Sequence, residues 1–148
     1  MPEIRVTRQI QAPLKTVWDV LNDFGDIQRW SPGVKHSKLT SDGPVEKGST
    51  RYCDFASLGS VHERIEAYVP NEQMTISLYE PSKLPISSAM ADFQLTSIED
   101  GTMLELNYTY VPNFIGRLLK GKVHKEMNKA MEGLAKALQR ECERSNSD

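Results

Sequence analysis

The sequence has little cysteine and no long apolar run, and both shortages narrow its class. Two cysteines, Cys53 and Cys142, are too few for a disulfide framework and read as unpaired thiols of a reducing compartment. No stretch approaches the roughly 20 apolar residues that cross a bilayer. Glu3, Arg5 and Arg8 interrupt the hydrophobic residues at the start, where a signal peptide needs an unbroken apolar core. The expectation is a cytoplasmic protein with no stable membrane insertion. A dominant charge is lacking too: the formal net charge of -2 gives no electrostatic reason to expect nucleic acid or an anionic membrane as partner. His36, His62 and His124 lie far apart and complete no metal-ligand spacing, so neither a metal nor another cofactor is expected. A Gly-rich phosphate loop, a Ser-His-Asp arrangement and a Cys-His dyad are equally missing.

What is present fits one domain of 148 residues, long enough to bury a single core. Glu3 to Ile10 alternates, with Ile4, Val6 and Ile10 on one face and Arg8 interrupting it near the end. Pro13 lacks a donor and has a fixed φ, which closes that strand and suits the first turn of a helix. Leu14, Val17, Trp18, Leu21 and Phe24 then recur at helical spacing. Asp26 to Trp30 predicts a second helix too short to stand alone, held by Ile27 and Trp30, and Ser31-Pro32-Gly33 ends it.

Strands are predicted over 34–40, 49–56, 60–69, 73–80, 86–98 and 103–111, joined by turns rich in Gly, Pro, Asn and Asp. From Asn113 the period becomes helical, with Phe114, Leu118, Met127, Met131, Leu134 and Leu138 on one stripe. Gly116 and Gly121 weaken its beginning, where a bend is expected. Arg117, Lys120, Lys122, His124 and Lys125 read as the solvated face of this helix.

One pair of charges falls on a predicted inner face. Arg51 shares its strand face with Cys53 and Phe55, and Glu63 shares the next with Val61, Ile65, Ala67 and Val69, so a short connection brings the two close across the ladder. A buried ion pair is weak evidence for stability, because desolvation costs roughly several kcal/mol per ion. The alternative is a solvated pair at the rim, worth ~0 to 1 kcal/mol. If the pair faces a bound molecule, Arg51→Ala is expected to weaken binding of a polar-headed ligand while leaving the fold largely intact.

The run Ala12-Pro13, Val17-Trp18, Val20-Leu21 and Asp23-Phe24, followed by Trp30 and Pro32, resembles the opening of START/Bet v 1-like proteins of the polyketide cyclase/dehydrase-like branch. The resemblance continues through Gly48, Arg51 and Glu63 to the last helix and covers nearly the whole chain. It implies an α+β helix-grip fold: a curved antiparallel seven-stranded sheet wrapped around a long C-terminal helix, with two short helices after the first strand and a cavity between sheet and helix. It also implies binding of a small hydrophobic ligand, such as a lipid, polyketide or isoprenoid-like compound. The enzymatic alternative is a cyclase or dehydratase in which Arg51 polarises a carbonyl and Glu63 moves a proton. A third reading is an interaction module whose cavity is filled by its own side chains.

The residues expected to bind the ligand are Arg51, Glu63, Trp30, Phe55, Ile65, Leu78, Ala91, Phe93, Leu106, Tyr108, Phe114, Met127 and Met131, with Arg51 and Glu63 catalytic if the protein is an enzyme. Tyr79 and Tyr110 are further aromatic candidates. Residues 81–85 and 113–121 are the expected entrance, with Glu80 a second carboxylate at the mouth. Ala89 and Leu106 stand where relatives tend to carry aromatics, which points to a different ligand or none. Neither a monomer nor a dimer is favoured.

Overall fold

The computed structural model describes residues 1–147. Eight residues form β1 (Glu3–Ile10), followed by α1 (Leu14–Asn22) and a short 3₁₀ segment over Phe24–Arg29. Six strands follow: β2 (His36–Leu39), β3 (Thr50–Asp54), β4 (Ser60–Val69), β5 (Gln73–Ser82), β6 (Ile86–Ile98) and β7 (Gly101–Pro112). A short α2 (Phe114–Leu118) and a 28-residue α3 (Lys120–Ser147) complete the chain. The strands form one seven-stranded antiparallel sheet in the order β1-β7-β6-β5-β4-β3-β2. Ala89, Ala91, Phe93 and Leu95 of β6 face inward with Leu104, Leu106, Tyr108 and Tyr110 of β7, as the period of two predicts.

Two tertiary clamps position the ends of the sheet. Gly101 opens β7 at φ 147, where a Cβ would lie 2.1 Å from the Ile10 carbonyl, and Thr102 Oγ1 donates to the Ala12 carbonyl at 2.8 Å. At the far edge Ser37 of β2 holds the 3₁₀ segment. Its amide donates to Gln28 Oε1 at 2.7 Å and its hydroxyl to the Gly25 carbonyl at 2.9 Å. A segment this short persists because such contacts fix it, not through its own propensity.

The structure departs from the sequence reading at three places. β3 ends at Asp54, so Phe55 leaves the ladder and packs half-buried beside the core from the connection that follows. In β4 the register shifts between Ile65 and Ala67. This bulge breaks the expected run of Ala67 and Val69 on the inner face and packs Tyr68 on the core instead, its ring 5.3 Å from that of Trp18 and its hydroxyl donating to Asn22 Oδ1 at 2.6 Å.

The third departure is the stripe of the last helix, which is split. Leu119, at φ -113 and ψ 34, separates α2 from α3, so Phe114 and Leu118 are exposed and the core-facing line begins at Val123. That line continues through half-buried Met127, Met131 and Leu134 to Ala135, Leu138 and Cys142, all fully buried. The C-terminal half of α3 is also tied to the first strand: Arg8, which interrupts the inner face of β1, donates from Nε to Gln139 Oε1 at 2.6 Å, and the Gln11 amide donates to Glu143 Oε2 at 2.9 Å.

Candidate functional site

The ladder between β3 and β4 sets Arg51 directly opposite Glu63, flanked by Cys53 opposite Val61. Both charged residues are 6% exposed, so the pair lies inside the protein and not at the rim. Arg51 Nε donates to Glu63 Oε1 at 2.6 Å, and Nη2 reaches the same oxygen. Nη1 donates to the Phe24 carbonyl at 2.9 Å, while the guanidinium lies 4.0 Å from the centre of the Phe24 ring. A guanidinium so surrounded is held in one orientation, its planar fork satisfied on two sides and stacked on a third.

These contacts lead to a different prediction for Arg51→Ala, which should also destabilise the fold. Removing either partner leaves the other charge buried without its counterpart.

Beside the pair lies a small cavity of about 10 Å³, lined by Val20, Leu21, Asp23, Ile27, Trp30, Arg51, Met74, Ile76 and Phe93. That is about room for one water molecule. Trp30 is 9% exposed, and among the described residues its Nε1 is a buried polar side-chain atom with no hydrogen-bond partner. An unmet buried donor costs about 1–3 kcal/mol, which an incoming acceptor would relieve. The site therefore brings the Arg51 cation, held by Glu63, together with Asp23 and Trp30 among mainly apolar side chains.

Of the residues expected to line a ligand site, Trp30, Arg51 and Phe93 meet at this cavity. Ile65, Ala91, Leu106 and Tyr108 are buried in the same core, and Phe55, Leu78, Met127 and Met131 pack half-buried against it. Tyr108 donates its hydroxyl toward Met127 Sδ at 3.9 Å, connecting β7 to α3 across the interior. Burial, and next the nearby Glu63, raise the Tyr108 phenol above its ordinary range.

Other placements differ. Phe114 is 65% exposed and lies outside this interior. Tyr79 turns to the outer face, between His62, with ring centres 5.7 Å apart, and the Arg64 guanidinium at 4.5 Å. Glu80 is likewise exposed and approaches His62. Tyr110 is buried and pairs with His124 Nδ1 at 2.8 Å, at the base of α3.

Sequence reasoning assigned no site role to Phe24, Val20, Leu21, Ile27, Met74 or Ile76. The helical stripe puts Leu21 and Phe24 on an apolar face and Ile27 is expected to hold the short helix, but the use of Phe24 through its backbone carbonyl leaves no side-chain signal. A further tie holds the Trp30 segment against α3: Arg29 Nη1 donates to Glu141 Oε2, and hydrogen bonding from Arg144, then from Arg29, holds the Glu141 carboxyl below its ordinary range against the effect of burial.

Cys53 and Cys142 are both free and buried. Burial pushes each thiol up to about 12, with Glu63 adding to the effect at Cys53. Iodoacetamide at mildly alkaline pH is expected to leave both unmodified in the folded protein and to alkylate both in urea. Prompt labelling of Cys53 in the native state would show that water reaches the interior beside Glu63.

A curved seven-stranded sheet gripping a long C-terminal helix is the fold of START/Bet v 1-like proteins. The chain belongs to the family described as polyketide cyclase / dehydrase and lipid transport, which it matches over residues 1–142. Among solved structures it is similar to TTHA0849 from Thermus thermophilus, with a TM-score of 0.80 and 20% identity, covering 95% of this chain and 97% of that one. The Zhui aromatase/cyclase from Streptomyces sp. R1128 gives 0.78 at 15% identity, covering 97% and 94%. Ara h 8.0201 gives 0.75 at 10% identity, covering 95% and 97%. At these identities the likeness speaks for the fold alone. No curated protein sequence matches the chain. Members of this fold family bind hydrophobic ligands or act as polyketide cyclases.

Proposed function

We propose that the protein binds a small hydrophobic molecule, of lipid, polyketide or isoprenoid-like character, between the sheet and α3, with an oxygen-bearing end at Arg51 and Trp30. The observation that carries this reading is that Trp30, whose buried Nε1 has no partner among the described residues, lines the same small cavity as the oriented Arg51. An oxygen of the ligand would accept from the indole while its apolar body displaces side chains along the interior. Met127 and Met131, half-buried against the same core, unbranched and polarizable, are the α3 side chains best suited to yield. Binding therefore requires the cavity to widen, and the N-terminal half of α3 is the part that moves. The family's description as polyketide cyclase / dehydrase keeps a second reading, an enzyme of cyclase or dehydratase type in which Arg51 would act as electrophile and Glu63 as acid and base.

Anilinonaphthalene sulfonate, an apolar probe with one anionic end, tests the binding reading. Saturable fluorescence with one probe per chain is expected, with affinity falling at least roughly tenfold when Arg51→Met and Glu63→Leu are combined, the loss of about one charged hydrogen bond. Saturable binding that the double variant leaves unchanged would place the probe elsewhere and remove the support.

A further inference from the structure

Four large apolar side chains stand exposed on consecutive turns at one end of the molecule: Phe114 at 65%, Ile115 at 54%, Leu118 at 65% and Leu119 at 51%. Their exposure is built in by the way α2 is seated. Its buried residue is Gly116, where a Cβ would lie 2.1 Å from the Pro85 carbonyl, so the helix docks backbone to backbone and turns its bulk outward. Asn113 fixes that seat at both ends. Its Oδ1 accepts from the Gly116 amide at 2.9 Å and its Nδ2 donates to the Leu84 carbonyl at 2.9 Å, while its own amide donates to the Pro85 carbonyl at 3.1 Å.

The same end concentrates positive charge. Arg117, Lys120, Lys122 and Lys125 are exposed around the apolar residues, and exposed Lys83 sits in the adjoining turn next to Leu84. No acidic residue occurs between Glu105 and Glu126, or between Glu80 and Asp92. The overall charge of -2 thus conceals a local excess of cations around a protruding apolar knob.

From this we infer that the face formed by α2 and the start of α3 docks reversibly on an anionic lipid surface. The four apolar side chains enter the headgroup boundary and the surrounding Lys and Arg side chains meet the lipid phosphates, as an interfacial amphipathic helix does. Charge complementarity selects an anionic surface over a neutral one. No helix among the described residues is long and apolar enough to cross a membrane, and this mode of attachment needs none. The inference does not rest on the interior ligand, so it is tested on ligand-free protein.

Flotation with vesicles of phosphatidylcholine alone, and of equal parts phosphatidylcholine and phosphatidylglycerol, reads the outcome. Binding is expected only to the anionic vesicles and should weaken as salt rises. Phe114→Ser with Leu118→Ser should abolish it. Lys120→Glu with Lys122→Glu should weaken it at least roughly twentyfold, since each basic residue near such a surface is worth roughly fivefold in affinity. All four positions are exposed, so circular dichroism should show both variants folded. Absence of binding to anionic vesicles, or binding that neither variant weakens, would overturn the inference. A concentration-dependent dimer lost in the Ser variant, without vesicle binding, would assign the face to a second copy of the chain and overturn it equally.

Discussion

Glu63→Leu alone is expected to destabilise the protein by about 3–5 kcal/mol, because it leaves the Arg51 guanidinium buried without its carboxylate. Phe24 would still supply a carbonyl at Nη1 and a ring face, but neither neutralises the charge. Arg51→Met is expected to cost a similar amount by stranding the carboxylate. The double replacement should recover most of the loss, since an apolar pair of similar volume avoids the desolvation that the ion pair had to offset. Urea unfolding of the three variants measures this directly, with the coupling between positions read from the double-mutant cycle. Single variants within about 1 kcal/mol of wild type would mean that the pair is solvated, against the 6% exposure of each partner. A double variant that folds stably yet binds poorly separates the pair's role in recognition from any role in the fold.

Leu138→Ala is expected to cost about 2–5 kcal/mol, whereas Met131→Ala should cost well under half of that. Leu138 lies fully buried between Ala135 and Cys142, in the part of α3 fastened to β1 through Gln139 and to Gln11 just beyond it through Glu143, and its truncation opens a cavity in rigid surroundings. Met131 is half-buried, so water can occupy part of what its truncation removes. The contrast states how the fold would admit a ligand: the second half of α3 is the anchor and the first half the yielding wall. Hydrogen exchange should follow the same division, with amides of 124–131 exchanging faster than those of 135–142. Equal costs at the two positions and uniform protection along α3 would contradict it.

Much of this architecture is legible from period and punctuation. The alternation of β6 and β7, with Glu99-Asp100 between them, specifies that hairpin, and counting by two through the short connection after Asp54 already faces Arg51 with Glu63. What the sequence conceals depends on contacts between distant parts of the chain. The bulge that turns Tyr68 inward in place of Ala67 and Val69 accompanies its contacts with Trp18 and Asn22, and no local pattern in β4 announces it. Phe114 and Leu118 continue the spacing of α3, so periodicity alone assigns them to the core. Their exposure follows from the close approach of Gly116 to the Pro85 carbonyl. The Phe24 carbonyl that completes the Arg51 environment is hidden for another reason, since a backbone acceptor is common to every residue. Cavity size is set by packing, which leaves about 10 Å³ beside Arg51 and Trp30.

The indole N–H resonance of Trp30 offers the most direct test of the central claim. In proton–nitrogen correlation spectra of the protein titrated with anilinonaphthalene sulfonate, the Trp30 signal should move downfield as its vacant donor gains an acceptor, while that of Trp18, packed against Tyr68, moves less. In the Arg51→Met, Glu63→Leu double variant the shift should shrink with the affinity. A Trp30 signal that stays in place at saturating probe would contradict the account, because the buried donor identified as waiting for a ligand would then have none to meet.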